Sequence, residues 1–249
     1  MPRVTFVGTG EAFDPELPNT SVLYQGDRTL LVDCGYAVPH ALWRVTRDAS
    51  LIDAVYVTHL HADHSFGLPA LLLWMREEGR TRPLTVFGRP GVKPWLERLL
   101  DLGYPGSYAP DKCYPIEPLV IEPGTPHAFG ACTLSNAESL HSVRNLSLRI
   151  DEGDASFCVS GDGAPSEATR ELYRGATVLA HECHAASEPK DGHALLDDIL
   201  ALGEEAGVGT LCLVHIARAD KAAVRERARA HAGRTKVIVP APGDSIEMR

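Results

Sequence analysis

One turn in the sequence carries three histidines and an aspartate within six residues. His59, His61, Asp63 and His64 follow directly after the apolar residues 55–57. Histidine is the commonest protein ligand for metals, and aspartate adds a hard oxygen. Alternate residues of an extended turn point to the same side. We therefore predict that His59 and His61 face one metal ion, while Asp63 and His64 face another.

Three more polar residues stand where predicted strands end. His141 follows the stretch CTLSNAESL, Asp162 follows the predicted strand 156–159, and His215 follows the predicted strand 211–214. Ligands of α/β proteins gather outside the carboxyl ends of strands. Any one of these residues alone is better explained by a capping or surface role. Together with the histidine-rich turn, they supply enough ligands for two ions.

Short apolar strands alternate with helical patterns and would position these residues. The predicted strands are 4–7, 21–24, 29–32, 54–57, 84–87, 119–122, 132–135, 147–150, 156–159, 178–180, 211–214 and 236–239. Apolar spacing of 3.6 residues predicts helices at 39–46, 68–77, 92–100, 166–173, 193–206 and 221–231. This order indicates sheets with helices packed outside, which is an α/β fold. We predict a single domain over residues 1–249.

Composition narrows the class of partner. The formal net charge of −9 argues against a generally cationic surface, which binding to long nucleic acid would require. It is compatible with a small anionic substrate. The six scattered cysteines predict reduced thiols in the cytoplasm. Neither a signal peptide nor a membrane-spanning apolar run is apparent.

The motif HLHADH, with the downstream His141, Asp162 and His215, resembles the metallo-β-lactamase superfamily. Further segments resemble its ribonuclease Z and PhnP-like phosphodiesterase branch. They are VGTGEAF near the start, LLVDCG at residues 30–35, AHECH at 180–184 and GHA at 192–194. The resemblance extends from about residue 4 to residue 216.

The resemblance implies a four-layer αββα sandwich with metals at the edge where both sheets end. It assigns one metal to His59, His61 and His141. The second metal would be held by Asp63, His64 and His215. Asp162 would bridge the two ions. Zinc is the expected metal, and ligand sets of nitrogen and oxygen also accept manganese or iron.

This reading implies hydrolysis of a phosphodiester by a hydroxide that bridges the metals. We count Asp63 among the catalytic residues as well as among the ligands. His193 is the candidate general acid for the leaving alkoxide, because imidazole titrates near neutral pH. Glu182 is expected to orient His193, and Asp33 to accept a hydrogen bond from a ligand histidine. His184 is expected to line the pocket if the chain stays extended there.

The sequence also departs from ribonuclease Z. Only thirty residues separate Asp162 from His193, which leaves no room for the long arm that holds transfer RNA. The cysteine-bound structural zinc of PhnP-like enzymes is not evident either. We therefore predict a small or cyclic phosphodiester as the substrate, with long nucleic acid disfavoured. A homodimer is one option that the resemblance allows.

Three alternatives stay open at this point. The first is a hydrolase of carbonyl substrates, such as a lactonase, a thioesterase or a β-lactamase-like enzyme. The second is a ribonuclease Z-like RNA endonuclease. The third is a metal-stabilised module that binds or senses without catalysis, although such structural sites are closed and lack an open position for water.

Overall fold

Two seven-stranded sheets form the centre of the computed structural model, which describes residues 1–248. The first sheet contains β1 (Arg3–Gly8), β2 (Ser21–Gln25), β3 (Thr29–Val32), β4 (Ala54–Tyr56), β5 (Leu84–Gly88), β6 (Ile116–Val120) and β14 (Ser245–Glu247). Their spatial order is β14-β1-β2-β3-β4-β5-β6. Strands β3 to β6 run parallel to one another, and the remaining pairs are antiparallel.

The second sheet has the same mixed design. It contains β7 (His127–Phe129), β8 (Cys132–Glu138), β9 (Leu146–Glu152), β10 (Ala155–Val159), β11 (Val178–Glu182), β12 (Thr210–Val214) and β13 (Lys236–Ile238). Their spatial order is β13-β12-β11-β10-β9-β8-β7. Strands β10 to β13 are parallel. Each sheet therefore has a group of carboxyl ends that lie at one edge.

Helices cover the outer faces of both sheets. They are α1 (Val38–Val45), α2 (Ala62–Ser65), α3 (Leu68–Glu77), α4 (Val92–Gly103), α5 (Glu167–Leu172), α6 (Leu196–Glu205) and α7 (Lys221–Ala230). In α3 the buried side chains Leu68, Leu71, Leu72 and Met75 recur at helical spacing and pack on the first sheet. The predicted α/β sandwich of four layers is confirmed.

Apolar side chains on both faces of the strands explain the layering. In β3, Leu30 and Val32 enter the core between the sheets, while Leu31 enters the core under the helices. In β11, Leu179 likewise points away from its neighbours Val178 and Ala180 and packs beneath the outer helices. A strand that is buried on both faces reads as a continuous apolar run. For this reason the central strands were predictable.

Several boundaries differ from the predictions. The strand predicted at 119–122 is β6, which begins at Ile116 and tolerates Pro118 because it lies at the edge of its sheet. The short elements β7, β14 and α2 were not predicted. The helix predicted from His193 begins only at Leu196, since Leu195 is extended and forms a bridge with Ala185. No helix within residues 1–248 is both long and apolar enough to cross a membrane.

Candidate metal centre

The carboxyl ends of the parallel strands bring the predicted residues to one edge of the sandwich. Asp33 follows β3, and the histidine-rich turn follows β4. Glu182 ends β11, and His215 follows β12. At this edge the structure brings together all seven predicted metal ligands: His59, His61, Asp63, His64, His141, Asp162 and His215.

The seven side chains form two groups that share Asp162. One group is His59, His61, His141 and Asp162, and the other is Asp63, His64, Asp162 and His215. Within each group the potential ligand atoms lie within 4.8 Å of one another. Asp162 Oδ2 is 3.8 Å from His59 Nε2, and Asp162 Oδ1 is 3.2 Å from His64 Nε2. One carboxylate thus presents one oxygen to each group.

The division between the groups has a different cause from the one predicted. Residues 62–65 are not extended but form the one-turn helix α2, with Asp63 and His64 inside it. His61 precedes the helix in an extended conformation, with φ −62° and ψ 151°. The change of backbone between His61 and Asp63 therefore separates the two pairs of ligands.

Hydrogen bonds on the far side of each ring fix which nitrogen is free. His64 Nδ1 donates to Asp33 Oδ2 at 2.7 Å, and His141 Nδ1 donates to the carbonyl oxygen of Gly192 at 2.7 Å. His59 Nδ1 lies 3.1 Å from the hydroxyl of Thr58, which itself donates to Asp33. A neutral imidazole that donates through Nδ1 has its lone pair on Nε2. In all three residues that Nε2 faces the site, as a metal ligand requires.

The buried carboxylates of the site favour a positive charge beside them. Burial by itself lowers the pKa of His64, but the carboxylates of Asp162 and Asp33 outweigh it and hold that pKa well above its ordinary value. Burial lowers the pKa of His59 well below its ordinary value, helped by the charge of His64. His59 is therefore a neutral imidazole whose Nε2 lies 3.0 Å from His61 Nδ1.

Unpartnered atoms show that divalent ions fit these residues. His64 Nε2 and Asp162 Oδ1 are buried and lie 3.2 Å apart without forming a well-aligned hydrogen bond, and neither has another hydrogen-bond partner within residues 1–248. Such atoms are costly unless a ligand satisfies them. Converging imidazole nitrogens and carboxylate oxygens are the donor set of a zinc, manganese or iron site, and a bound ion would displace the proton of His64 Nε2.

Backbone strain marks two residues of the site. Asp33 has φ 60° and His215 has φ 53°, and within residues 1–248 no other non-glycine residue has a positive φ. Left-handed backbone is uncommon outside glycine and clusters at functional sites. With this backbone conformation, the side chain of Asp33 contacts His64. The side chain of His215 contacts Asp63, and its Nε2 lies 3.3 Å from Asp63 Oδ2.

His193 lies over the two groups of ligands. Its Nδ1 is 3.1 Å from Glu182 Oε1, and the same buried carboxylate accepts a hydrogen bond from the backbone N–H of Gly163. The ring of His193 is nearly parallel to that of His215 (centroids 6.3 Å apart) and edge-on to that of His141 (5.1 Å). His193 thus sits between one ligand histidine of each group, with Glu182 behind it.

A cavity of about 670 Å³ opens above these residues. His184 lines it and stacks on His193, with ring centroids 4.3 Å apart. Sequence reasoning missed other residues of its wall, of which only Glu11 and Phe13 lie in a quoted motif: Glu11, Phe13, Ser142, Lys190 and Arg218. The VGTGEAF segment and the position of Arg218 three residues after His215 were the available signals.

Comparison with known proteins agrees with this geometry. The family model described as Anti-Pycsar protein Apyc1 matches residues 2–233. The chain belongs to this family. "Ribonuclease Z" of Methanosarcina mazei is 27% identical, over 87% of this chain and 88% of its own length. The branch predicted from sequence, ribonuclease Z and PhnP-like proteins of the metallo-β-lactamase superfamily, is confirmed, and so is the assignment to metal-dependent hydrolases.

Solved structures show the same fold. The metallo-β-lactamase fold protein YhfI from Bacillus subtilis aligns with a TM-score of 0.84 at 23% identity, covering 98% of both chains. A diphosphatase from the PhnP family aligns with a TM-score of 0.76 at 19% identity, covering 100% of this chain and 98% of its own. The ribonuclease name among the relatives weighs against the expectation that long nucleic acid is disfavoured, which stays a prediction.

Proposed function

We propose that this chain is a dinuclear metal phosphodiesterase that acts on small or cyclic phosphodiesters. The placement of His193 carries the proposal. It is held by Glu182 and lies between His141 and His215, one from each group of ligands. An acid at this position serves a leaving alkoxide, which departs poorly without a proton. Hydrolysis of an activated carbonyl substrate has little need of it.

In this proposal the seven clustered side chains hold two divalent ions, with Asp162 shared between them. His59, His61 and His141 bind one ion, and Asp63, His64 and His215 bind the other. Bound divalent ions would supply a water molecule of lowered pKa and neutralise negative charge that develops on the phosphoryl group. Zinc suits the nitrogen and oxygen donors best, and manganese or iron are the alternatives.

Two residues of the chain provide and position the proton for the leaving oxygen, namely His193 and Glu182. Because His193 Nδ1 donates to Glu182, the proton for the leaving oxygen comes from His193 Nε2. The buried carboxylate of Glu182 accepts from His193 Nδ1 and keeps the ring in one orientation, with Nε2 toward the cavity. A hydroxide formed from water, whose other proton goes to solvent, bonds to phosphorus as the bond from phosphorus to the leaving oxygen breaks and that oxygen takes the proton of His193 Nε2. His193 is then reprotonated from solvent.

The cavity supports a small substrate. About 670 Å³ is within the range of pockets that enclose small molecules. The net charge of −9 offers little general attraction for long nucleic acid. A ribonuclease Z-like RNA endonuclease is the second candidate, and the name of the Methanosarcina relative favours it.

A substrate panel separates these functions. Protein of measured metal content would be assayed with bis(p-nitrophenyl) phosphate, cyclic phosphodiesters, a lactone, a thioester and a precursor transfer RNA. We expect turnover of the small phosphodiesters, lost in His61→Ala and Asp162→Ala. Turnover of the lactone or thioester alone would refute the proposal, and efficient cleavage of the RNA alone would favour the second candidate.

The general-acid role predicts a dependence on the leaving group. His193→Ala should lower kcat for a methyl or alkyl phosphodiester by about 10²–10⁴-fold, the usual contribution of general acid catalysis. The loss for p-nitrophenyl esters should be much smaller, because p-nitrophenolate departs without protonation. Glu182→Gln should show the same pattern with a smaller amplitude. An equal loss of kcat for both leaving groups would remove His193 from this role.

A further inference from the structure

A lysine outside the metal groups reaches the same cavity. Lys190 Nζ lies 3.0 Å from His184 Nε2, and both residues line the cavity wall. Lysine is only a donor, so His184 Nε2 must accept and the imidazole must be neutral. Burial, followed by the nearby charges of His193 and Lys190, lowers the pKa of His184 to about 4, which agrees with this assignment.

Lys190 differs from the other cation of the cavity wall. Arg218 Nε forms an ion pair with the buried Glu11 at 2.8 Å, so its charge is already compensated. Lys190 is exposed, and among residues 1–248 its ammonium group contacts His184 Nε2 and forms no ion pair with a carboxylate. A neutral imidazole orients Lys190 without cancelling its charge. The full positive charge of Lys190 is therefore available to an anion in the cavity.

The order of the side chains sets the place of this charge. The ring of His184 stacks on that of His193 at 4.3 Å, and Lys190 binds His184 rather than His193. The ring of His184 also lies 6.0 Å from that of His215, which is as close to this ligand as His193 lies (6.3 Å). An anion that meets Lys190 is therefore held beside His193 and His215, outside the seven clustered ligands.

We propose that Lys190, positioned by His184, forms a second anion-binding subsite beside the clustered ligands, which selects substrates that carry a second negatively charged group, such as diphosphates. This inference rests on the proposed function, which places the first anionic group of the substrate at the clustered ligands.

Equilibrium binding of two inorganic anions tests the subsite without turnover. In this proposal inorganic phosphate engages only the clustered ligands, whereas the second charged group of pyrophosphate would also engage Lys190. Calorimetry on the metal-loaded protein should show that Lys190→Met weakens pyrophosphate about tenfold or more and phosphate less than twofold, since a lost charge-assisted hydrogen bond has that effect. Lys190→Arg should retain most of the affinity for pyrophosphate.

Matched variants exclude a general effect of charge or folding. Lys93→Met removes one positive charge from an exposed position on α4, outside the cavity, and should change neither affinity. His184→Phe keeps a stacking ring but no acceptor, and should reproduce Lys190→Met. The double variant should lose no more than either single one, because the two residues act as a unit.

Equal losses for both anions in Lys190→Met, or no loss for either, would overturn the subsite. This outcome is independent of the proposed function. If the wild-type protein hydrolysed no phosphodiester but bound pyrophosphate through Lys190, the subsite would stand and the proposed activity would fall. If it hydrolysed phosphodiesters and Lys190→Met bound pyrophosphate normally, the reverse would hold.

Discussion

Single hydrogen bonds decide which atoms of the site are free to bind a cation. Asp33 is the most connected of these partners, because it accepts from the backbone and hydroxyl of Thr58 and from His64 Nδ1. It is fully buried and lies in left-handed backbone. One carboxylate thus fixes the ring of a ligand and the first residues of the histidine-rich turn.

Replacing this carboxylate should weaken the metal site more than the fold. In Asp33→Asn we expect metal affinity to fall about 10–100-fold, the usual effect of losing such a partner. Asparagine tolerates left-handed backbone, so the local conformation is kept. Competition with a chromophoric chelator measures the affinity. Asp53→Asn, which alters a carboxylate that accepts from Thr29 N outside the site, is the control. Unchanged affinity in Asp33→Asn would contradict the assigned role.

At this scale the sequence was informative about ligands and less so about the cavity wall. His59, His141 and Asp162 could be picked out because polar residues after apolar strands are conspicuous. The stacking of His184 on His193 and the contact with Lys190 depend on how residues 183–195 leave the sheet. That path is set by the bridge between Ala185 and Leu195, which no local pattern encodes.

Short elements around the histidine-rich turn determine how closely the chain can pack there. Gly35 lies against α2, and a Cβ at this position would stand 1.8 Å from the carbonyl oxygen of Asp63. The neighbouring Cys34 exchanges backbone hydrogen bonds with His64 and Gly67. The segment after β3 is therefore a support for the turn, and its glycine is required by close approach.

Gly35→Ala should separate local packing from overall stability. We expect a cost of about 1–3 kcal/mol in the free energy of unfolding from the forced displacement, together with a large loss of metal affinity. Gly79→Ala should cost about 1–2 kcal/mol, because Gly79 has φ 82° with open space around it, yet leave metal affinity unchanged. Urea unfolding and metal titration of both variants provide the comparison. Equal metal affinities in the two would contradict the support role.

Elements with a strong apolar pattern were predictable, and those set by tertiary contact were not. The helix α3 was predicted with its observed bounds, because buried leucines recur at helical spacing. The three-residue strands β7 and β14 exist through pairing with β8 and β1 and carry too few residues to show a period. The late start of α6 follows from the extended backbone at Leu195.

The whole molecule brings the two sheets together at the metal centre. The first half of the chain supplies His59, His61, Asp63 and His64, and the second supplies His141, Asp162 and His215. Hydrogen bonds between distant segments hold the outer elements in place. One acceptor of such bonds is Glu204 at the end of α6, which accepts from Thr235 N at 2.9 Å and from His231 Nε2 at 3.1 Å.

These hydrogen bonds to Glu204 predict that the free energy of unfolding falls at acidic pH. The backbone N–H of Thr235 and the imidazole of His231 lower the pKa of Glu204 to about 2 from a usual value of 4.5. A lowered pKa in the folded state means that the stabilisation is complete above about pH 4.5 and is lost as pH falls toward 2. Glu204→Gln should flatten the fall of unfolding free energy in that window.

Chemical denaturation at several pH values measures the effect. Glu205→Gln removes the same charge from the next residue, which is more exposed, and should leave the slope near that of the wild type. An identical slope in Glu204→Gln and the wild type would show that the contacts with Thr235 and His231 do not stabilise the fold.

Titration of metal-free protein with zinc, followed by hydrolysis of bis(p-nitrophenyl) phosphate, tests the central claim most directly. Because Asp162 joins two groups of ligands, we predict that activity rises to a plateau at two ions per chain. Asp162→Ala should bind zinc weakly and stay inactive throughout. A plateau at one ion per chain, or no hydrolysis with two ions bound, would contradict the dinuclear phosphodiesterase proposed here.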